Sequence, residues 1–145
     1  MTFQFSLATV LRVRGILEDQ EERLLQKILF EIAQTREALQ QTDAEIAGTD
    51  VAREEDIFKP FIGRNIHMSY GEVEELKQRK KNLEEQIEKL EDLRDKQLKI
   101  YEKARRNREM LTDMREEKLS AYESDVARNE QKTLDDNFIA RRGRN

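Results

Sequence analysis

The sequence contains no cysteine, no tryptophan, one proline and five glycines in 145 residues. Without cysteine there are no disulfides, no thiolate metal sites and no thiol catalysis. So little proline and glycine excludes a turn-rich fold. No apolar run approaches the ~20 residues of a membrane-spanning helix, and Met1–Leu11 lacks the basic start and long apolar stretch of a signal peptide. A basic excess is missing too: 27 Lys and Arg stand against 31 Asp and Glu, a net charge of −4. A general nucleic-acid binder carries such an excess. These absences point to the cytoplasm and away from nucleic acid.

What is present is charge. Charged residues make up 40% of the chain and the hydrophobic class 37%. That is too few apolar side chains for a thick core, but enough for a narrow seam between two helices. Three glycines (Gly48, Gly63, Gly71) and Pro60 fall between residues 48 and 71, and the flanking segments are almost free of helix breakers. The expectation is an all-α fold. Two long helices form an antiparallel coiled-coil hairpin, elongated and monomeric, with the second helix longer than the first. The chain is read as a single coiled-coil domain, 1–145. It divides into a helix over about 6–47, a connector over 48–68, a helix over about 69–134 and a flexible basic tail over 135–145.

In the first helix, Phe3, Val10, Leu17 and Leu24 form a seven-spaced row. Leu25, Ile32, Leu39 and Ile46 continue it after a one-position shift, as a 3.6-residue helix drifts against a seven-residue repeat. Gly48 suits the left-handed residue that closes a helix. The second helix begins with a capping box, Ser69 and Glu72, and a hydrophobic staple, Met68 and Val73. Leu76, Leu83, Leu90, Ala104 and Leu111 share one row, with Gln97 as its polar member. Val73, Ile87 and Tyr101 fill the companion row, with Lys80, Arg94 and Arg108 between them. Glu75–Arg79, Glu85–Lys89, Asp92–Lys96, Asp95–Lys99 and Glu102–Arg106 are acid-first pairs at i,i+4. Folding back places Ala47 near Glu72 and Leu7 near Thr112. The second helix then overhangs by about 30 Å, carrying Leu119, Tyr122 and Val126 without an intramolecular partner. Exposed apolar residues at such an end make a docking surface.

The sequence offers little to a catalyst. His67 is the only histidine, and it lacks a ligand set around it. The carboxylates of Glu18–Glu22 and Glu84–Asp92 read as solvated helix faces, because catalytic carboxylates need a cleft. There is no glycine loop to cradle phosphate. The expectation is a protein that is not an enzyme, with no metal, no cofactor and no small-molecule substrate. The tail Arg141-Arg142-Gly143-Arg144 has two readings, an anionic docking element or a frayed end. The connector residues, Phe58, Phe61, Ile62 and Tyr70 among them, read either as a small cap over the hairpin or as a second partner site.

Two motifs carry a resemblance. One is Phe3-x-Phe5-x-Leu7-x-x-Val10-Leu11-x-x-Arg14. The other is Glu130-x-Lys132-x-x-Asp135-Asp136, preceded by the Arg-rich stretch from Arg105 to Arg115. With two long helices around a short connector, the chain resembles the FliJ family of the flagellar type III export apparatus. The resemblance implies a non-catalytic stalk, similar to the central stalk of rotary ATPases. It implies that the stalk inserts into the hexamer of the flagellar export ATPase and activates it. It further implies contact with the cytoplasmic domain of the membrane export gate, binding of export chaperones, and a peripheral location on the inner face of the cell membrane at the flagellar base. The ATPase-facing end would comprise Leu7, Val10, Leu11, Arg14, Arg115, Lys118, Leu119, Tyr122, Val126, Lys132, Asp135 and Asp136. Leu7 and Val10 also have a competing role as ordinary seam residues. Phe58, Phe61, Ile62 and Tyr70 would face the gate or a chaperone. The rivals are a passive, homodimeric coiled-coil spacer, an injectisome stalk homologue and a prefoldin-like holding chaperone. The last needs strand pairs that residues 48–71 do not show.

Overall fold

A computed structural model describes the backbone of residues 2–57 and 63–144, and the side chains of 2–49 and 70–144. Among the described residues there are two helices and no strand: α1, Ala8–Ile57, and α2, Gly63–Gly143. They form an antiparallel hairpin, and α2 is the longer. The residues fall into two compact units. Met1–Gln20 goes with Tyr101–Asn145, and Glu21–Ile100 forms the other.

Both helices outrun their expected ends. Gly48 lies inside α1 and is not its cap. One glycine costs a helix about 1 kcal/mol, and the helix formers Ala52, Arg53, Glu54 and Glu55 stand one turn beyond it. Ser69 and Glu72 lie inside α2, so they make no capping box at its start. The basic stretch expected as a flexible tail is helical through Gly143. Arg141 and Arg142 sit in its last turn, where cations offset the negative end of the helix dipole. Of the connector, Phe58, Pro60, Phe61 and Ile62 lie outside the described residues, as do the side chains of His67 and Met68.

In the unit Glu21–Ile100 the seam is a heptad pattern. From α1 it takes Glu21, Leu25, Ile28, Ile32, Thr35, Leu39, Thr42, Ile46 and Thr49; from α2, Val73, Leu76, Lys80, Leu83, Ile87, Leu90, Arg94 and Gln97. All are buried or half-buried. The rows expected on α2 are these residues. Two polar groups lie deep in the seam. The hydroxyls of Thr35 and Thr42 donate to the carbonyls of Glu31 and Ala38, each at 2.8 Å. Each buried hydroxyl is thus satisfied within its own helix, which removes most of the desolvation cost. Gln97 donates to the carbonyl of Glu21 at 3.1 Å and to its carboxylate. Lys80 pairs with Asp43 at 2.9 Å and Arg36 with Glu91 at 3.0 Å. Partners fall in number on α2 as they rise on α1, which is the antiparallel order.

The expected shift of row within α1 does not occur. Its inward positions keep one seven-residue register, and Val10, Leu17 and Leu24 are 41%, 43% and 49% exposed. The inward positions are instead Leu11, Glu18 and Leu25. A charged Glu18 made the true row look interrupted, and an apolar neighbour stood one position before it. None of the five expected i,i+4 pairs of α2 is closed to ion-pair distance among the described residues. The short-range pairs present are Arg94–Asp95 and Arg105–Glu109.

Candidate docking end

The unit of residues 1–20 and 101–145 holds every residue expected to face the ATPase. Its geometry starts with the segment before α1. Phe3, Phe5 and Leu7 alternate with polar residues and precede the helix. The Phe5 carbonyl accepts the Ala8 N–H at 3.1 Å, and the Leu7 carbonyl accepts the Leu11 N–H at 2.8 Å, which starts the helical ladder. Phe5 is buried. The Lys118 ammonium lies 5.6 Å from its ring centroid, within the range of a cation–π contact. Phe3 stacks at a tilt on Tyr122, with centroids 5.6 Å apart. Arg115 lines a shallow groove with Phe3, Gln4, Phe5 and Ala8.

This segment corrects the expected overhang. Tyr122 has a partner in Phe3, and Leu119 and Val126 are half-buried. Leu7 sits about one turn further along α2 than Thr112, since Arg115 neighbours Ala8.

Deeper in this unit the seam is ionic. The Arg108 guanidinium donates to both carboxylate oxygens of Glu18, at 2.5 and 3.1 Å. The Glu18 side chain is only 13% exposed. The Arg108 hydrogen bond holds its carboxyl below the ordinary carboxylate value, against the opposing effect of burial; the charges of Arg108 and Arg105 add to the lowering. The same bond raises Arg108. Such a two-pronged pair fixes orientation as well as adding energy. Leu11 and Arg14 are half-buried on the same stripe of α1, and Leu7 is half-buried just before the helix, whereas Val10 lies outside the stripe. Leu7 and Leu11 are therefore seam residues, with only their edges open to a partner.

From Ala127 to Arg144 every described side chain is exposed. Here stand Lys132, Asp135 and Asp136, with Leu134, Phe138 and Ile139 at 63%, 64% and 67% exposure. Apart from Val10, which is exposed on α1 outside the seam, the candidate residues form two groups. Leu7, Leu11, Arg14, Arg115, Lys118, Leu119, Tyr122 and Val126 belong to the packed part. Lys132, Asp135 and Asp136 begin about 15 Å beyond Tyr122 along α2. Phe5, Glu18 and Arg108 were missed as site-forming residues. The period-two pattern Phe3-x-Phe5-x-Leu7 carries the signal for the first, and an acid and a base at matching seam positions for the other two. Of the residues expected to face a gate or chaperone, Tyr70 is exposed, while Phe58, Phe61 and Ile62 lie outside the described residues.

Among the described residues, no group of three or more His, Cys, Asp or Glu side chains is placed to hold a metal ion. Nor is any helix long and apolar enough to cross a membrane. Compared with family models, with curated proteins and with solved structures, the chain matches none.

Proposed function

We propose that this chain is a non-catalytic stalk and adaptor of a flagellar type III protein export apparatus, in the manner of the FliJ family it resembles. In this reading it enters and activates the export ATPase hexamer and links it to the cytoplasmic domain of the membrane export gate. It also binds export chaperones, and it resides at the inner face of the membrane at the flagellar base. One observation carries the reading: α2 continues through Gly143 with no described side chain buried after Val126. A lone helix about 10–12 Å across suits a narrow ring pore. Its mixed charges and exposed Leu134, Phe138 and Ile139 are groups that a surrounding protein wall can satisfy.

The test is ATP hydrolysis by the purified flagellar export ATPase, with the full chain and with a chain truncated after Val126. Stimulation by the full chain that is lost on truncation supports the stalk. A folded full chain that neither binds nor stimulates refutes it. Response of an injectisome ATPase alone would move the chain to that homologous system. The exposed apolar residues near the end of α2 favour one other reading, a homodimeric spacer, and sedimentation showing a stable dimer through residues 127–145 would select it.

A further inference from the structure

The two flanks of the seam in the unit Glu21–Ile100 differ. On one flank lie residues that directly follow a seam position, and there Arg36 and Glu91 join the helices at 3.0 Å. On the other lie residues that directly precede one, and there Glu45 and Arg79 line a common groove. Further along this second flank stand Leu24 and Glu31 on α1 and Leu93 and Ile100 on α2; the three apolar residues are 49%, 51% and 49% exposed. This apolar strip borders the seam.

Its rim is cationic. Lys27 is one turn from Leu24; Lys89 and Lys96 are one turn to either side of Leu93, and Lys96 is also one turn before Ile100. Residues three and four apart are neighbours on a helix surface. All three lysines are exposed and none is in an ion pair among the described residues. Asp92, offered to Lys96 by spacing, does not close on it. Glu31 is the acid on the α1 side.

We propose that this strip docks an amphipathic helix of a partner protein whose apolar row is flanked by Asp and Glu. The apolar row would complete a three-helix seam, and the acids would meet Lys27, Lys89 and Lys96. A second copy of this chain fits worse, because it would bring like-charged rims together. The inference stands on the strip alone and is independent of the stalk reading.

The probe is a labelled helical peptide about three heptads long, with Leu at a and d and Glu at the flanking positions. A control peptide carries Lys in place of Glu. Fluorescence anisotropy against the full chain should show binding of the Glu peptide, weakened on the order of tenfold by high salt. Leu24→Ser with Ile100→Ser should weaken it at least tenfold. Lys27→Glu, Lys89→Glu and Lys96→Glu together should invert the preference toward the Lys peptide. These three lysines are exposed, so this variant decides the matter even if the serine variant loses helix by circular dichroism. The proposal is overturned if the Glu peptide does not bind, if both peptides bind alike, or if the charge-reversed chain behaves like the parent. It is also overturned if sedimentation shows a dimer that the same substitutions dissolve.

Discussion

Removing the charge of Glu18 tests whether an ion pair holds the seam beside the segment that precedes α1. In Glu18→Gln the shape survives and the charge does not. The Glu18 side chain is 13% exposed, and its carboxylate accepts two hydrogen bonds from Arg108. Charge-assisted bonds contribute ~1.5–3 kcal/mol and neutral ones ~1 kcal/mol. The Arg108 side chain keeps 31% exposure, so water recovers part of the loss. The expected cost at pH 7 is about 1 kcal/mol, a drop of about 2–4 °C in melting temperature at this chain length. The pH dependence has a definite sign. Arg108 lowers the Glu18 pKa in the folded chain from its ordinary 4.5. Stability from the pair is therefore fully present above that ordinary value and is lost as pH falls through the folded one. Thermal melts followed by circular dichroism should show parent and Glu18→Gln separated at pH 7 and converging in acid, below the ordinary 4.5. Replacing both partners, Glu18→Leu with Arg108→Leu, should restore or exceed parental stability, as apolar replacements of buried pairs do. A Glu18→Gln chain that melts with the parent at pH 7 would refute the reasoning, as would a gap that stays constant however far the pH falls below 4.5.

Phe5→Ala removes a buried ring and the face that Lys118 covers; it should cost about 3 kcal/mol, read by urea unfolding, and should speed amide exchange at Ala8 and Leu11. Gly15 and Gly48 are helical, and nothing lies within 4 Å of where a Cβ would stand. Each changed to Ala should add about 0.5–1 kcal/mol and raise the melting temperature, the opposite of what a left-handed cap at Gly48 would give. Truncation after Val126 removes helix that buries nothing, so it should reduce helical circular dichroism while leaving the melting temperature within about 2 °C.

The α2 seam was legible from sequence because its rows set leucine, isoleucine or valine at Val73, Leu76, Leu83, Ile87, Leu90 and Leu111, at heptad spacing. The beginning of α1 was not. There Val10, Leu17 and Leu24 precede Leu11, Glu18 and Leu25 by one position, and counting apolar residues selects the wrong row. Only the cross-helix partner of Glu18 reveals the right one, and pairing is not local information. Thr35 and Thr42 escaped for a related reason: they are polar in a list, yet each hydroxyl is spent on its own helix. Helix ends were misjudged because Gly48 and Ser69 have strong local preferences that a long helix overrides. In the candidate docking end the cover of Tyr122 was not legible, since it comes from Phe3 at the other end of the sequence.

Glu18 and Arg108 do something that leucines at the same positions would not. Leucines at heptad spacing tolerate a slip of seven residues with little loss. A slip that carries Tyr101 to Glu18 leaves that carboxylate without its guanidinium and carries Arg108 to Leu11, setting both charges against uncharged side chains. Burying one partner of such a pair alone costs several kcal/mol. The opposite slip offers Glu18 a substitute in Arg115. It also places Asn129 and Asp125 where Tyr122 and Lys118 now stand, so Phe3 loses its aromatic partner and Phe5 its cation. Ion pair and aromatic anchors thus exclude opposite errors. Neither alone fixes the register of this unit, and together they do, at some cost in seam stability that the leucine double variant would expose.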